Sequence, residues 1–247
     1  MIGNPSFYSV IIGTELLNGR REDGHFAFLN SELVKRGWEH KASFIVKDDK
    51  DLLQSVYELI KKDSDSIMLS FGGIGSTPDD FTREIASFAF TSVFPQRHKD
   101  AEKIIIERLG ERAYPHPIKM ADIPRGSKLI ANPINNMPGF QLFDRFFFLP
   151  GFPQMAHPMI IKILDEFYPK NIEKYSCSFI AHCSEATLID IMERLPKELE
   201  LSCLPTFGKD KRETEIYLSH TDSEFLKLHC DAFKDKLREF KIEMSIL

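Results

Sequence analysis

The feature that most constrains the fold is an alternation of apolar runs and amphipathic segments in the first third of the chain. The runs have the length and composition of strands, and the segments between them carry apolar residues at helical spacing. The predicted strands are 7–12, 38–46 and 66–71, and the predicted helices are 25–35, 48–62 and one that begins at Pro78. This alternation predicts an α/β fold with three αβα layers and a mostly parallel sheet.

A glycine-rich segment follows the third predicted strand, because residues 72–75 read Gly-Gly-Ile-Gly. Glycines let the backbone turn tightly and approach a ligand closely. Thr77 can cap the next helix, Pro78 suits its first position, and Asp80 stands at capping-box spacing from Thr77. The start of a helix attracts anions through its unpaired N–H groups. Since the segment matches neither a Walker A loop nor the dinucleotide fingerprint, an ordinary capped strand-to-helix turn is the alternative.

Carboxylates follow each of these predicted strands: Glu15 after the first, Asp48 after the second, and Asp79 and Asp80 after the third. Ligands of open parallel sheets bind outside the carboxyl ends of the strands, so these side chains can converge. Carboxylates repel phosphate, and a magnesium or manganese ion between the two would remove that conflict. The alternative is that Asp48 and Asp80 only cap helices.

The pattern changes near residue 170. Before that point it predicts a helix over 100–109, irregular chain over 113–126, a hairpin around Asp144-Arg145 and a helix over 153–167. After it, the pattern predicts strand 176–182, helix 185–194, strands 199–204 and 213–219, and helix 223–240. We therefore predict an α/β domain over 1–169 and a small βαββα domain of the α+β class over 170–247.

The composition is that of an ordinary globular chain, with 43% hydrophobic and 28% charged residues and a net charge of −5. No basic block suggests a nucleic-acid surface, and neither a signal peptide nor an apolar run of membrane-spanning length is evident, so a cytoplasmic protein is expected. The four cysteines show no Cys-x-x-Cys pair and are expected to be free thiols. Four basic residues could neutralise phosphate, but solvated surface positions are expected for them: Lys47, Arg20, Arg21 and Arg83.

Residues 72–84, Gly-Gly-Ile-Gly-Ser-Thr-Pro-Asp-Asp-Phe-Thr-Arg-Glu, resemble the signature of the MoaB/Mog-type molybdopterin-binding domain. The likeness is closest to the N-terminal part of competence-damage-inducible (CinA-type) proteins. Three more segments agree in the expected order: the opening strand and loop at 11–19, an acidic turn at 46–49, and Leu-Pro-Gly-Phe-Pro at 149–153. The resemblance is strong over the first predicted domain and weak over the second.

The CinA-type resemblance implies metal-dependent cleavage of ADP-ribose-like diphosphates. It assigns the catalytic and metal-binding roles to Asp80, Asp48 and Glu15, with magnesium or manganese as the cofactor. The implied substrate-binding residues are Gly13, Asp23, Gly72, Gly73, Gly75, Ser76, Thr77, Asp79 and Thr82. The wider family implies molybdopterin binding or adenylylation instead, and a third reading is a degenerate, non-catalytic binding module. The resemblance also implies a homo-oligomer that binds a small nucleotide or pterin phosphate, and we expect neither a nucleic-acid nor a membrane partner.

The chain departs from the pattern of the resembling proteins at several positions. Thr14 replaces the aspartate of Gly-Asp-Glu, and His25 replaces the amide of Asp-Thr-Asn. Asn135 and Asn136 stand in place of a glycine and a threonine, and Met155 stands where a glutamate usually follows the late Pro-Gly-x-Pro element. These departures favour a changed substrate or a loss of turnover.

Overall fold

The computed structural model describes residues 5–171, 173–207 and 212–246. The chain divides into two compact units, Met1–Asn171 and Ile172–Leu247.

The first unit begins with the predicted alternation of strands and helices. Its opening elements are β1 (Ser6–Ile12), α1 (Thr14–Leu17), α2 (Phe26–Lys35), β2 (His40–Val46), α3 (Lys50–Lys62), β3 (Ser66–Phe71) and α4 (Thr82–Thr91). The remaining elements are β4 (Gln96–Arg97), α5 (Lys99–Leu109), β5 (Asp122–Ile123), β6 (Lys128–Ile130), β7 (Gly139–Leu142), β8 (Phe146–Leu149) and α6 (Pro153–Phe167). A short 3-10 helix, Gly110–Ala113, follows α5, and a second, Pro117–Ala121, lies in the region expected to be mostly irregular.

The main sheet has the strand order β2-β1-β3-β8-β7-β6. The first four strands run parallel. At one side β7 pairs antiparallel with β8, and β6 pairs antiparallel with β7 and so runs in the direction of the first four. The hairpin between β7 and β8 confirms the expected turn, because Phe143 and Asp144 both adopt positive φ between the strands.

Each face of the sheet buries a separate apolar core, so the predicted three-layer fold is confirmed. Helices α3 and α4 cover one face, and their core includes Val10, Tyr57, Met68, Phe90 and Phe148. Helices α2 and α6 cover the other, and their core includes Phe7, Leu33, Leu69, Leu149 and Ile160. The parallel strands therefore end at one edge, to which they bring the loops that follow them.

The helix after the glycine-rich segment starts later than predicted. It begins at Thr82 rather than at Pro78. Pro78 and Asp79 instead occupy a turn in which the Asp80 N–H donates to the carbonyl of Thr77 (3.1 Å). The threonine and aspartate at capping-box spacing thus stabilise a turn before the helix.

The second unit is a small α+β unit with a four-stranded antiparallel sheet, as predicted in class. Its elements are β9 (Tyr175–Ala181), α7 (Ile189–Met192), β10 (Glu200–Phe207), β11 (Arg212–His220), α8 (Ser223–Glu239) and β12 (Met244–Ile246). The sheet order is β10-β11-β9-β12, and the edge strand β12 was not predicted. The predicted helix 185–194 is replaced by a 3-10 turn and the short α7, in which Ile191 alone is buried.

The expectation of free thiols is wrong for two of the four cysteines. Cys177 on β9 and Cys230 on α8 face each other in the core of the second unit and form a disulfide. The two cysteines are 53 residues apart in the sequence, so no local spacing indicates that they pair. Only the fold brings the strand and the helix together. Cys183 and Cys203 are free.

Among the helices of the described residues, none combines the length and apolar character that a membrane crossing requires.

Candidate functional site

A cavity of about 550 Å³ lies at the carboxyl ends of the parallel strands of the first unit. Most of the predicted site residues line it. They are Gly13, Glu15, Asp48, Gly72, Gly73, Gly75, Ser76, Thr77, Asp79 and Asp80. Asp23 and Thr82 are absent from its lining in the described part of the chain. The parallel sheet thus brings together carboxylates that are far apart in sequence.

The glycine loop, residues 72–77, forms one wall of this cavity and needs its glycines. Gly72 and Gly73 have φ of +102° and +65°, a region that side chains disfavour. A Cβ on Gly72 would lie 2.7 Å from the carbonyl oxygen of Ile12, and one on Gly73 would collide with the hydroxyl of Thr82. The main-chain N–H groups of residues 73–76 have no protein acceptor within the described ranges. They are therefore available to an anion.

Thr82 supports the glycine loop from behind and does not reach the cavity. It is fully buried, its hydroxyl donates to the carbonyl of Gly72 (2.9 Å), and its N–H donates to the carbonyl of Gly73 (3.0 Å). These contacts give Thr82 a supporting role behind the loop, and its predicted substrate contact stays a prediction. A residue at the first position of a helix can face either the ligand or the loop, and the sequence does not distinguish the two.

Asp80 is held in place by Thr77. Its Oδ2 accepts hydrogen bonds from the N–H (2.8 Å) and the hydroxyl (2.6 Å) of Thr77. The same hydroxyl lies 2.5 Å from Oδ1 of Asp79, and this hydrogen bond lowers the pKa of Asp79. Because one hydroxyl carries one proton, it donates to only one of the two carboxylates at a time, and the other keeps its full capacity as an acceptor.

Asp23 lies outside the cavity, in the turn before α2. Its carboxylate oxygens accept from the N–H groups of His25 (2.8 Å) and Phe26 (2.9 Å). Both oxygens thus satisfy the first donors of a helix, and the predicted substrate contact of Asp23 stays a prediction.

Arg21 and Phe152 are cavity residues that the predicted site did not include. The Arg21 guanidinium donates to the carbonyl of Gly151 (3.2 Å) and lies 3.6 Å from the carboxylate of Glu15. It also lies over the Phe152 ring, 5.1 Å from the centroid. A signal was present, since Arg21 lies in the loop after β1 and Phe152 lies within the late Pro-Gly-x-Pro element.

The segment between β8 and α6 touches the glycine loop directly. A Cβ on Gly151 would lie 3.2 Å from the Cα of Gly72, and the Gly72 N–H donates to the carbonyl of Leu149 (3.0 Å). Two walls of the cavity therefore meet backbone against backbone.

Comparison with known proteins assigns this unit to a family. A family model described as a probable molybdopterin binding domain matches residues 9–170. The chain belongs to this family. A CinA-like protein from Nostoc punctiforme is 34% identical over 157 residues, which are 61% of this chain and 37% of that protein. A putative competence-damage inducible protein from Clostridium kluyveri is 29% identical over 221 residues, or 85% and 52% of the two chains.

A solved structure supports the same relationship. The crystal structure of the protein CinA, of unknown function, from Thermoplasma acidophilum aligns with a TM-score of 0.58 and 27% identity. It covers 65% of this chain and 97% of that one. The chain spans about half or less of the length of the Nostoc and Clostridium relatives.

Within this molybdopterin-binding-type domain, the departure at Thr14 positions a carboxylate. The Thr14 N–H (2.8 Å) and hydroxyl (2.9 Å) both donate to Oδ2 of Asp48, and the hydroxyl accepts from the Asp48 N–H (3.2 Å). The loss of one acidic side chain is thus accompanied by a fixed orientation of another.

Asn135 and Met155, two other positions at which the domain departs from the resembling proteins, contact each other. The Asn135 amide nitrogen lies 3.3 Å from Sδ of Met155, and both residues line the cavity. The carbonyl oxygen of the Asn135 side chain accepts from the amide of Asn132 (2.7 Å) and from the N–H of Met137 (2.9 Å). The side-chain oxygen of Asn135 is therefore fixed by two hydrogen bonds, and its NH₂ group is directed to Met155.

The oxygen ligands of the domain fit a divalent ion only in part. Among the described residues, no three His, Cys, Asp or Glu side chains are close enough to form a metal centre. The expected trio of Asp80, Asp48 and Glu15 is therefore not formed as a ligand set, and Glu15 pairs with Arg21. Asp48 and Asp80 each commit only Oδ2 to a threonine and keep the other oxygen. This set fits magnesium, which takes one or two carboxylates and completes its shell with ligand phosphates and water.

The departure at His25 predicts a pH-dependent stability for the domain. His25 is 3% exposed and stacks on Phe71, and this burial lowers its pKa below the ordinary 6.5. Because the unfolded chain binds the proton more readily, the free energy of unfolding falls as the pH drops below about 6.5. Urea unfolding at pH 7 and pH 5 should show a smaller loss for His25→Asn than for wild type. The exposed His116→Asn serves as control and should retain the full loss, and an equal loss in all three proteins would contradict the prediction.

Proposed function

We propose that the domain binds a nucleotide diphosphate of the ADP-ribose type in this cavity and hydrolyses its pyrophosphate bond with a divalent metal ion. The observation that carries the proposal is that Asp48 and Asp80 line one cavity together with residues 73–76, whose N–H groups have no protein acceptor among the described residues. A diphosphate with a bound cation satisfies both sets of groups.

Charge explains why the ligand must arrive with a cation. The cavity is lined by the carboxylates of Glu15, Asp48, Asp79 and Asp80, and by the single guanidinium of Arg21. A bare diphosphate would be repelled by this excess of negative charge. The glycine loop amides bind the phosphate oxygens, while Asp48 and Asp80 would hold magnesium or manganese against the same phosphates.

Each side chain of the cavity has a separate role in the proposed reaction. When bound, the metal ion polarises a phosphoryl oxygen and lowers the pKa of a water molecule. Thr14 and Thr77 keep the carboxylates of Asp48 and Asp80 oriented. Glu15 accepts a proton from the attacking water, and Arg21 balances its charge. The water oxygen bonds to one phosphorus, the bridging P–O bond breaks, and AMP and ribose 5-phosphate leave.

The direct test is hydrolysis of ADP-ribose by the purified full chain. We expect AMP and ribose 5-phosphate in equal amounts with magnesium or manganese, and neither product after treatment with EDTA. Chromatographic quantification of AMP measures both. Binding of ADP-ribose without any AMP release in either metal would reject hydrolysis and support a non-catalytic binding module. A lack of binding would reject the site itself.

A second candidate is a pterin phosphate ligand, as in a molybdopterin-binding protein. The family description favours it, and so does the apolar wall that Ile105, Met120 and Met137 contribute to the cavity. Calorimetry with molybdopterin and with ADP-ribose separates the candidates, since the proposed hydrolase should bind ADP-ribose more tightly.

A further inference from the structure

The cavity has two chemically different walls, and the diphosphate occupies only one. The glycine loop and the carboxylates form the polar wall. Phe152, Met155, Met137 and Asn135 contribute to the other wall, which is mainly apolar. A subsite on this second wall rests on the proposed function, because it would bind the group that is attached to the diphosphate in the ligand.

Phe152 provides a flat surface on this wall. Its side chain is large and apolar, yet the residue is 54% exposed. The Arg21 guanidinium lies over the ring at 5.1 Å, and Arg21 is itself tied to the carbonyl of Gly151. An aromatic ring fixed in this way and open to a cavity is suited to stack on a second ring.

Asn135 provides a hydrogen-bond donor on the same wall. The Met137 N–H can only donate, so the side-chain atom that faces it at 2.9 Å must be the Asn135 oxygen. The Asn135 NH₂ group consequently points to Sδ of Met155, a weak acceptor. Within the described residues it has no stronger acceptor, so a ligand atom can take this donor.

Met155 joins the two features. Phe152 is the N-cap of α6, its carbonyl accepts from the Met155 N–H (2.9 Å), and both residues line the cavity. Met155 in turn contacts Asn135. The stacking surface and the donor therefore border one continuous patch of the cavity.

We propose that Phe152 and Asn135 form a subsite for the heteroaromatic ring of the ligand. Phe152 stacks on the face of the ring, and the Asn135 NH₂ donates to an acceptor atom on its edge. Since Asn135 and Met155 are both departures from the resembling proteins, this subsite makes the ring preference a property of this chain. Phe152 and Asn135 are specificity determinants and take no part in bond cleavage.

Three ligands that share a diphosphate test the subsite. ADP carries a ring with edge acceptors, benzyl diphosphate carries a ring without them, and inorganic pyrophosphate carries no ring. Titration calorimetry with magnesium should show that Phe152→Leu weakens ADP and benzyl diphosphate by about tenfold and leaves pyrophosphate unchanged. Asn135→Ala should weaken ADP by about fivefold and leave the other two unchanged.

The matched control is Phe94→Leu, because Phe94 is 73% exposed and lies outside the cavity lining. It should bind all three ligands as wild type does. If the Phe152 and Asn135 variants bind ADP unchanged, or lose pyrophosphate as strongly as ADP, the subsite is overturned while the proposed function stands. If wild type binds none of the three ligands, the proposed function and the subsite both fail.

Discussion

Asp80→Asn should reduce kcat/KM for ADP-ribose hydrolysis at least about 100-fold while leaving the protein folded. Asparagine has the shape of aspartate and keeps a carbonyl oxygen that can accept from the N–H and hydroxyl of Thr77. The turn before α4 should therefore persist. What the variant loses is the negative charge that would hold the divalent ion.

The control for this variant is Asp100→Asn, an exposed aspartate in the first turn of α5 and outside the cavity lining. Steady-state AMP release and urea midpoints should be measured on both variants. Full activity in Asp80→Asn would assign Asp80 to the turn alone. A lowered urea midpoint together with lost activity would leave the metal role of Asp80 unsupported.

Gly73→Ala should lower the free energy of unfolding by about 2–5 kcal/mol. One part is the cost of placing a side chain at φ +65°. The other arises because the new Cβ would displace the Thr82 hydroxyl from its hydrogen bond to the carbonyl of Gly72. The expected result is a loss of stability and a glycine loop that no longer presents its N–H groups.

Gly19→Ala is the matched control, because Gly19 also has a positive φ (+77°), but a Cβ there would meet no heavy atom within 4 Å. It should cost only about 1–2 kcal/mol. Urea unfolding curves of the two variants give the difference directly. Equal losses would mean that backbone conformation alone, and not the contact with Thr82, makes glycine necessary at position 73.

The arrangement of the carboxylates was predictable because it follows from topology. Glu15, Asp48 and Asp80 follow parallel strands, and parallel strands end at one edge of a sheet. Their hydrogen-bond partners were not predictable in the same way. The contact of Thr14 with Asp48 joins residues 34 positions apart, and no local pattern encodes it.

Local chemistry explains the errors around the glycine loop. The capping-box spacing between Thr77 and Asp80 does produce a contact, but this contact closes a turn and the helix starts at Thr82. Spacing alone cannot separate these outcomes, because both satisfy the same donors and acceptors. Phe152 lies in the late Pro-Gly-x-Pro element, but its side chain was not predicted to line the site, because phenylalanine, of which this chain has 21, is expected in a core by default.

The contact between Gly151 and Gly72 has a consequence for how ligands are distinguished. Because neither glycine has a side chain, a displacement of the segment before α6 would be transmitted to the backbone amides that we propose bind the phosphates. A poorly fitting ring at Phe152 would thus misalign the scissile bond, and selectivity would be expressed in the turnover number as well as in affinity.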